Sequence, residues 1–115
     1  MIGRRVTLPA EVLARYPELE AVEWRSGGIP VNVAGWFLGQ RSAAAITLWR
    51  TVFLSPSARV DAELLLHELR HVQQFEASLT FPVRYLWESA RRGYFANRYE
   101  VDAREYAARR LRHDG

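Results

Sequence analysis

Asp61-Ala62-Glu63-Leu64-Leu65-Leu66-His67-Glu68-Leu69-Arg70-His71-Val72-Gln73-Gln74 is the stretch from which the rest of the chain can be read. Leu65, Leu69 and Val72 recur at i, i+4 and i+7, the spacing of one apolar face of a helix. His67, His71 and Gln74 repeat that spacing on a neighbouring stripe. Asp61 has the side chain of an N-cap, and Glu63 suits the positive end of the helix dipole. A helix over about 61–77 follows, with a core stripe beside a polar row suited to the floor of a cleft.

Within that helix His67-Glu68-Leu69-Arg70-His71 is an H-E-x-x-H sequence. Residues i and i+4 lie one turn apart on the same face, so both imidazoles can reach one divalent metal. The intervening Glu68 then stands beside the water such a metal activates. The pattern predicts a metal-dependent hydrolase. The chain has three histidines and two of them are here. The absence of cysteine leaves histidine and carboxylate as the only metal donors.

A catalytic zinc site takes three protein ligands and keeps one open position. Two histidines therefore call for a third ligand from elsewhere. His113 is the remaining histidine but sits in the C-terminal tail. No further histidine or glycine follows between Gln74 and Leu79, so the metzincin arrangement is absent. Glu100, in Asn97-Arg98-Tyr99-Glu100-Val101-Asp102-Ala103, is placed near the start of the last helix, with Ala103 one turn on to permit close approach. Asn97 and Glu100 also have the spacing of a capping box, so Glu100 is either a ligand or a cap on its own helix. Asp102 and Glu105 are alternatives on other faces.

Working outward, Thr7-Leu8-Pro9-Ala10-Glu11 opens a short helix over about 9–15 that Pro17 ends. Residues 19–25 alternate apolar and polar, the period of a half-buried strand. Ser26 to Pro30 reads as a turn, and Gly35 and Gly39 bracket Trp36-Phe37-Leu38 as a hairpin or an irregular segment. Residues 44–49 and 51–54 are β-rich, giving one long strand or two joined by a bulge, stopped by Ser55-Pro56-Ser57. After the central helix come helices over about 82–92 and 97–112, separated by Gly93. The fold class is α+β: a small twisted sheet in the N-terminal half, packed on the H-E-x-x-H helix and followed by two further helices.

Composition sets the outer bounds. At 115 residues with 49% apolar content, the chain is read as a single domain, residues 1–115, with one modest core. No apolar run is long enough to span a bilayer, and no apolar segment follows the basic N-terminus to make a signal peptide. With the lack of cysteine, this leads to the expectation of a cytoplasmic protein. The net charge of +3 comes from arginine without lysine. Arg91, Arg92, Arg98, Arg104, Arg109, Arg110 and Arg112 are interleaved with Glu88, Glu100, Asp102, Glu105 and Asp114, which suits a solvated, salt-bridged helix better than a nucleic-acid face.

The combination His67-Glu68-Leu69-Arg70-His71-x-x-Gln74, a preceding strand ending Phe53-Leu54-Ser55, and a following Tyr94-x-x-Asn97-x-x-Glu100-x-x-Ala103 resembles the small gluzincin-type zinc metallopeptidase domains of bacteria. These include the minimal peptidase-like domains linked to contractile injection systems. The resemblance covers about residues 43–107. It implies a zincin-like fold, one zinc ion held by His67, His71 and Glu100, and Glu68 as the catalytic base in peptide-bond hydrolysis.

On that reading, Thr51, Val52, Phe53 and Leu54 form a sheet-edge strand that holds an extended peptide. Tyr94, Tyr99 and Arg98 are candidate oxyanion donors, and Gln74 is a candidate support for a ligand. Leu48 and Trp49 fall near the cleft or in the core; Trp24, Trp36 and Trp87 are assigned to the core or to a contact surface. The substrate is a peptide or protein, and a partner protein is expected to complete the cleft of so short a chain. Two other classes compete: a catalytically silent zinc-binding module, and a basic adaptor for nucleic acid or an acidic partner.

Overall fold

The structure is a computed structural model that describes residues 3–27, 45–55 and 59–114; the side chains of Ile46, Leu48, Tyr94, His113 and Asp114 lie outside that description. Elements in chain order are β1 (Arg4–Arg5), α1 (Ala10–Arg15), a 3₁₀ turn (Pro17–Ala21), β2 (Glu23–Ser26), β3 (Ala45–Leu48), β4 (Thr51–Leu54), α2 (Ala62–Ala77), α3 (Phe81–Ala96) and α4 (Arg98–Asp114). Sheet first and helices second is the α+β arrangement expected.

Three local readings are corrected. The strand expected over 19–25 begins only at Glu23, because residues 17–21 wind into 3₁₀ geometry behind Pro17. Trp24 Nε1 donates back to the Leu19 carbonyl at 3.1 Å, closing that turn onto the strand. Residues 45–54 are neither one strand nor a bulged one but a hairpin: Leu48 pairs with Thr51, leaving Trp49 and Arg50 as a two-residue turn. Trp49 has φ 54°, and among the described residues it is the one non-glycine residue with positive φ. Positive φ at the first turn residue matches the right-handed twist of the flanking strands, which outweighs the roughly 1 kcal/mol that a non-glycine residue pays there.

The third correction concerns Thr51–Leu54. The sheet order is β1-β2-β4-β3, so β4 is an inner strand. It pairs parallel with β2 (Trp24 opposite Val52) and antiparallel with β3 (Thr47 opposite Val52). Its backbone groups are occupied on both sides and cannot hold a peptide. The apolar run Val52-Phe53-Leu54 suits an inner strand better than an edge. Among the described residues β3 is the outermost strand on that side.

One face of the sheet packs on α2. Val52, Leu54, Ala45 and Trp24 meet Leu65, Leu66, Leu69 and Val72 in the main core, with Leu19 and Ala107 enclosed. Asp61 caps α2 as its side chain predicts, accepting from the Leu64 amide at 2.9 Å. α4 runs antiparallel to α2: Arg70 meets Asp102 while Gln74 meets Tyr99, so one register rises as the other falls. Ala103 and Ala107 are fully buried at this contact, where the small side chain lets the two helices approach. α3 turns out of helical geometry at Gly93 (φ 79°, ψ 167°), where positive φ suits glycine and separates 81–92 from the last turn. Trp24 is buried, whereas Trp87 is 63% exposed; Trp36 lies outside the described residues.

Candidate metal centre

The polar row of α2 faces α4, and their packing brings four side chains together. His67 Nε2 and His71 Nε2 lie 2.8 and 3.1 Å from the same atom, Glu100 Oε1. Glu100 and His71 are buried and His67 nearly so. The third ligand candidate therefore points into the site and does not cap its own helix. That role falls to Asn97, whose Oδ1 accepts from the Tyr99 amide at 2.8 Å. Glu68 is also buried, and one ligand atom each from His67, Glu68 and His71 lie within 4.8 Å of one another, a group that could hold a metal ion.

Outer groups fix the orientation of the inner ones. Gln74 Nε2 donates to the Tyr99 carbonyl at 3.0 Å and to Asp102 Oδ2 at 2.9 Å. Both partners are acceptors, so the amide cannot be flipped and its oxygen must face His71 Nδ1, at 2.8 Å. His71 Nδ1 consequently carries a hydrogen, and its Nε2 is the nitrogen left to present a lone pair. Arg70 in turn clamps Asp102 with two hydrogen bonds, of 2.7 and 3.3 Å, holding the acceptor that Gln74 uses.

The two carboxylates are held differently. Thr47 Oγ1, on the buried face of β3, donates to Glu68 Oε2 at 3.0 Å. The Tyr85 hydroxyl, from α3, donates to Glu100 Oε2. Each carboxylate thus has one oxygen taken by a neutral hydroxyl, and Glu100 directs the other at both imidazoles. Phe75, Phe81 and Tyr85 form an aromatic wall, with the Tyr85 ring 6.1 Å from that of His71.

A lone pair from His71 aimed at a carboxylate oxygen 3.1 Å away is repulsive unless a cation lies between them. Without a metal, a proton fills that role. Burial opposes charge on His71, but the hydrogen bond to Glu100 and the carboxylate charge push its pKa up to about 9. Burial would likewise raise Glu100, yet hydrogen bonds from His67, His71 and Tyr85 hold it well below the usual carboxylate range. Two imidazole nitrogens gathered at one carboxylate oxygen are also donors of the kind a single divalent metal takes.

Of the expected site residues, His67, Glu68, His71, Glu100 and Gln74 are brought together. Arg98 is not: it is largely exposed, its guanidinium donating to the Tyr99 hydroxyl at 2.9 Å and lying near Glu88. The Tyr99 ring packs against Phe81 at 5.0 Å, and its contribution to the site is a backbone carbonyl. Trp49 is 57% exposed and packs at a tilt on Phe75, with ring centroids 5.2 Å apart. Sequence reading missed Thr47 and Tyr85. A threonine between Ala45 and Trp49 on the inward face of the strand, and a tyrosine one turn after Phe81, were the available signals.

Three of the C-terminal arginines are ion-paired. Arg110 donates to Glu18 at 2.7 Å and lies over the Tyr16 ring, and Arg92 and Arg98 flank Glu88. Among the described residues no helix is long and apolar enough to cross a membrane.

No curated protein and no solved structure matches the chain. A family model, that of the eCIS core domain, matches residues 14–78. The matched stretch begins well before residue 43, so the 3₁₀ turn and β2 carry family character that their sequence does not announce. It contains Thr47, His67, Glu68 and His71 and ends before Tyr85 and Glu100. Since the match spans more than half of the chain, the protein belongs to the eCIS core domain family, the core domain of extracellular contractile injection systems.

Proposed function

We propose that this chain is a zinc-dependent peptidase domain working within a contractile injection system. The observation that carries the metal reading is the convergence of His67 Nε2 and His71 Nε2 on Glu100 Oε1. His67, His71 and Glu100 are the ligands, a His₂Glu set of the kind that takes catalytic zinc. A bound zinc supplies Lewis acidity, polarising a carbonyl and making water nucleophilic near neutral pH.

Glu68 is the general base. Thr47 holds its Oε2, and the other oxygen accepts a proton from the attacking water and returns it to the leaving amine. The Gln74–His71 hydrogen bond keeps Nε2 as the metal-facing nitrogen. An extended polypeptide lies along β3, which carries Thr47 and is outermost among the described strands; such pairing selects peptides over small esters or amides.

The experiment compares wild type with Glu68→Gln on a fluorogenic peptide mixture after zinc loading. Hydrolysis by wild type, lost at least ~100-fold in Glu68→Gln with zinc content unchanged, supports a peptidase with Glu68 as base. A second reading is a zinc-stabilised module without activity, favoured by the family's description as a core domain. It predicts zinc in both proteins and hydrolysis in neither, and that result would end the peptidase reading.

A further inference from the structure

The outer face of α3 is apolar and uncovered among the described residues. Val83 is 71% exposed, Trp87 63% and Leu86 36%; Leu79, just before the helix, is 93% exposed, and Ala90 is exposed too. Val83, Leu86, Trp87 and Ala90 stand at i, i+3, i+4 and i+7, a narrow seam of the kind one helix offers another. The opposite face of the same helix is spent internally: Phe81 and Tyr85 are buried against α2 and α4. An exposed tryptophan within a contiguous apolar seam is the surface feature that most often marks a protein contact.

Charge identifies what fits it. Arg84 and Arg91 are both exposed, seven residues apart along one flank of the seam. Neither forms an ion pair among the described residues, whereas Arg92, further round the helix, and Arg98, at the start of α4, share Glu88. The other flank carries Pro82 and Ser89 and is uncharged. We infer that the outer face of α3 docks a helix of a partner protein that has an apolar stripe edged on one side by carboxylates two turns apart.

A second copy of this chain fits less well. Antiparallel self-pairing sets the arginine flank against itself, and parallel pairing leaves both arginines opposite uncharged residues. A membrane surface also fits less well, since an interfacial helix presents a broad apolar sector with cations on both sides. This inference does not rest on metal or catalysis at the His67 site.

The test uses two synthetic helical peptides of about three heptads with leucine at the seam positions, one flanked by glutamate and one by lysine. Binding of each labelled peptide to the full chain is followed by fluorescence anisotropy at low salt. The glutamate peptide should bind at least ~10-fold more tightly than the lysine peptide, and the difference should shrink in high salt. Val83→Asp with Leu86→Asp should abolish binding, and Arg84→Glu with Arg91→Glu should reverse the preference. All four positions are exposed, so unchanged melting temperature and circular dichroism confirm that the variants fold.

Failure of wild type to bind the glutamate peptide, equal binding of both peptides, or binding undiminished in the aspartate variant would overturn the inference. So would a wild-type dimer in sedimentation that Val83→Asp dissolves. Co-sedimentation with phosphatidylserine vesicles, without any peptide preference, would overturn it in favour of a membrane surface.

Discussion

The two stripes of α2 are built from the same backbone a residue or two apart, yet they do opposite work. Leu65, Leu66, Leu69 and Val72 lie against the sheet, where any side chain of the right volume and polarity serves. His67, His71 and Gln74 lie against α4, where each side chain is held in one orientation by named partners. The apolar stripe stabilises the fold through area removed from water. The polar stripe holds donors that repel one another until a cation joins them, so its geometry is a cost the first stripe must cover.

If that division holds, substitutions on the two stripes should separate cleanly. The largest effect falls on the apolar side: Leu66→Ala, at a fully buried position, should lower unfolding stability by about 2–5 kcal/mol in urea titration. The fraction that remains folded should still bind zinc with wild-type affinity. A loss of affinity in the folded fraction would mean that the stripes are coupled.

On the polar side, Tyr85→Phe removes the hydroxyl that holds Glu100 Oε2 while keeping the ring in its aromatic wall. Zinc affinity measured by chelator competition should fall about 10–100-fold, with melting of the metal-free protein little changed. An unchanged affinity would show that the tyrosine is packing alone.

Smaller than either is a control on the helix as a whole. Asp61→Ala removes the N-cap bond to Leu64 and should cost about 1 kcal/mol, again without altering metal affinity.

The smallest effect concerns pH. The Arg110 hydrogen bond lowers the pKa of Glu18 in the folded chain, against an opposing effect of burial. A carboxylate whose folded pKa is depressed contributes stability above its unfolded pKa and loses it as pH falls. Glu18→Gln should therefore weaken the protein by under ~1 kcal/mol at neutral pH, and the difference from wild type should start to shrink as pH falls through about 4.5 and vanish only below the lowered folded pKa. A difference that persists there would assign the effect to packing.

How much of this was legible beforehand follows the same division. The core stripe, Asp61 as cap and the polar row could be read because helical spacing places residues on faces before any tertiary contact exists. Glu100 as the group that meets both imidazoles could be narrowed only to a choice, since a capping box and a ligand share one spacing. Packing of α4 on α2 decided it. Thr51–Leu54 was misplaced because strand order depends on pairing partners far along the chain, and the edge position came from the peptidase reading alone. Thr47 and Tyr85 were missed because each acts through one hydroxyl at the end of a side chain that otherwise looks like filler. Trp49 at positive φ broke a local rule, and no propensity argument would have put a turn there.

The claim that His67, His71 and Glu100 together hold one metal ion is tested most directly by metal analysis of protein purified without a metal-affinity tag. Wild type, His67→Ala and Glu100→Ala are each supplemented with zinc and dialysed. Wild type should retain close to one equivalent, and both variants should lose it while keeping the helical circular dichroism of the wild type. Zinc retained in full by Glu100→Ala, or absent from wild type, would contradict the account.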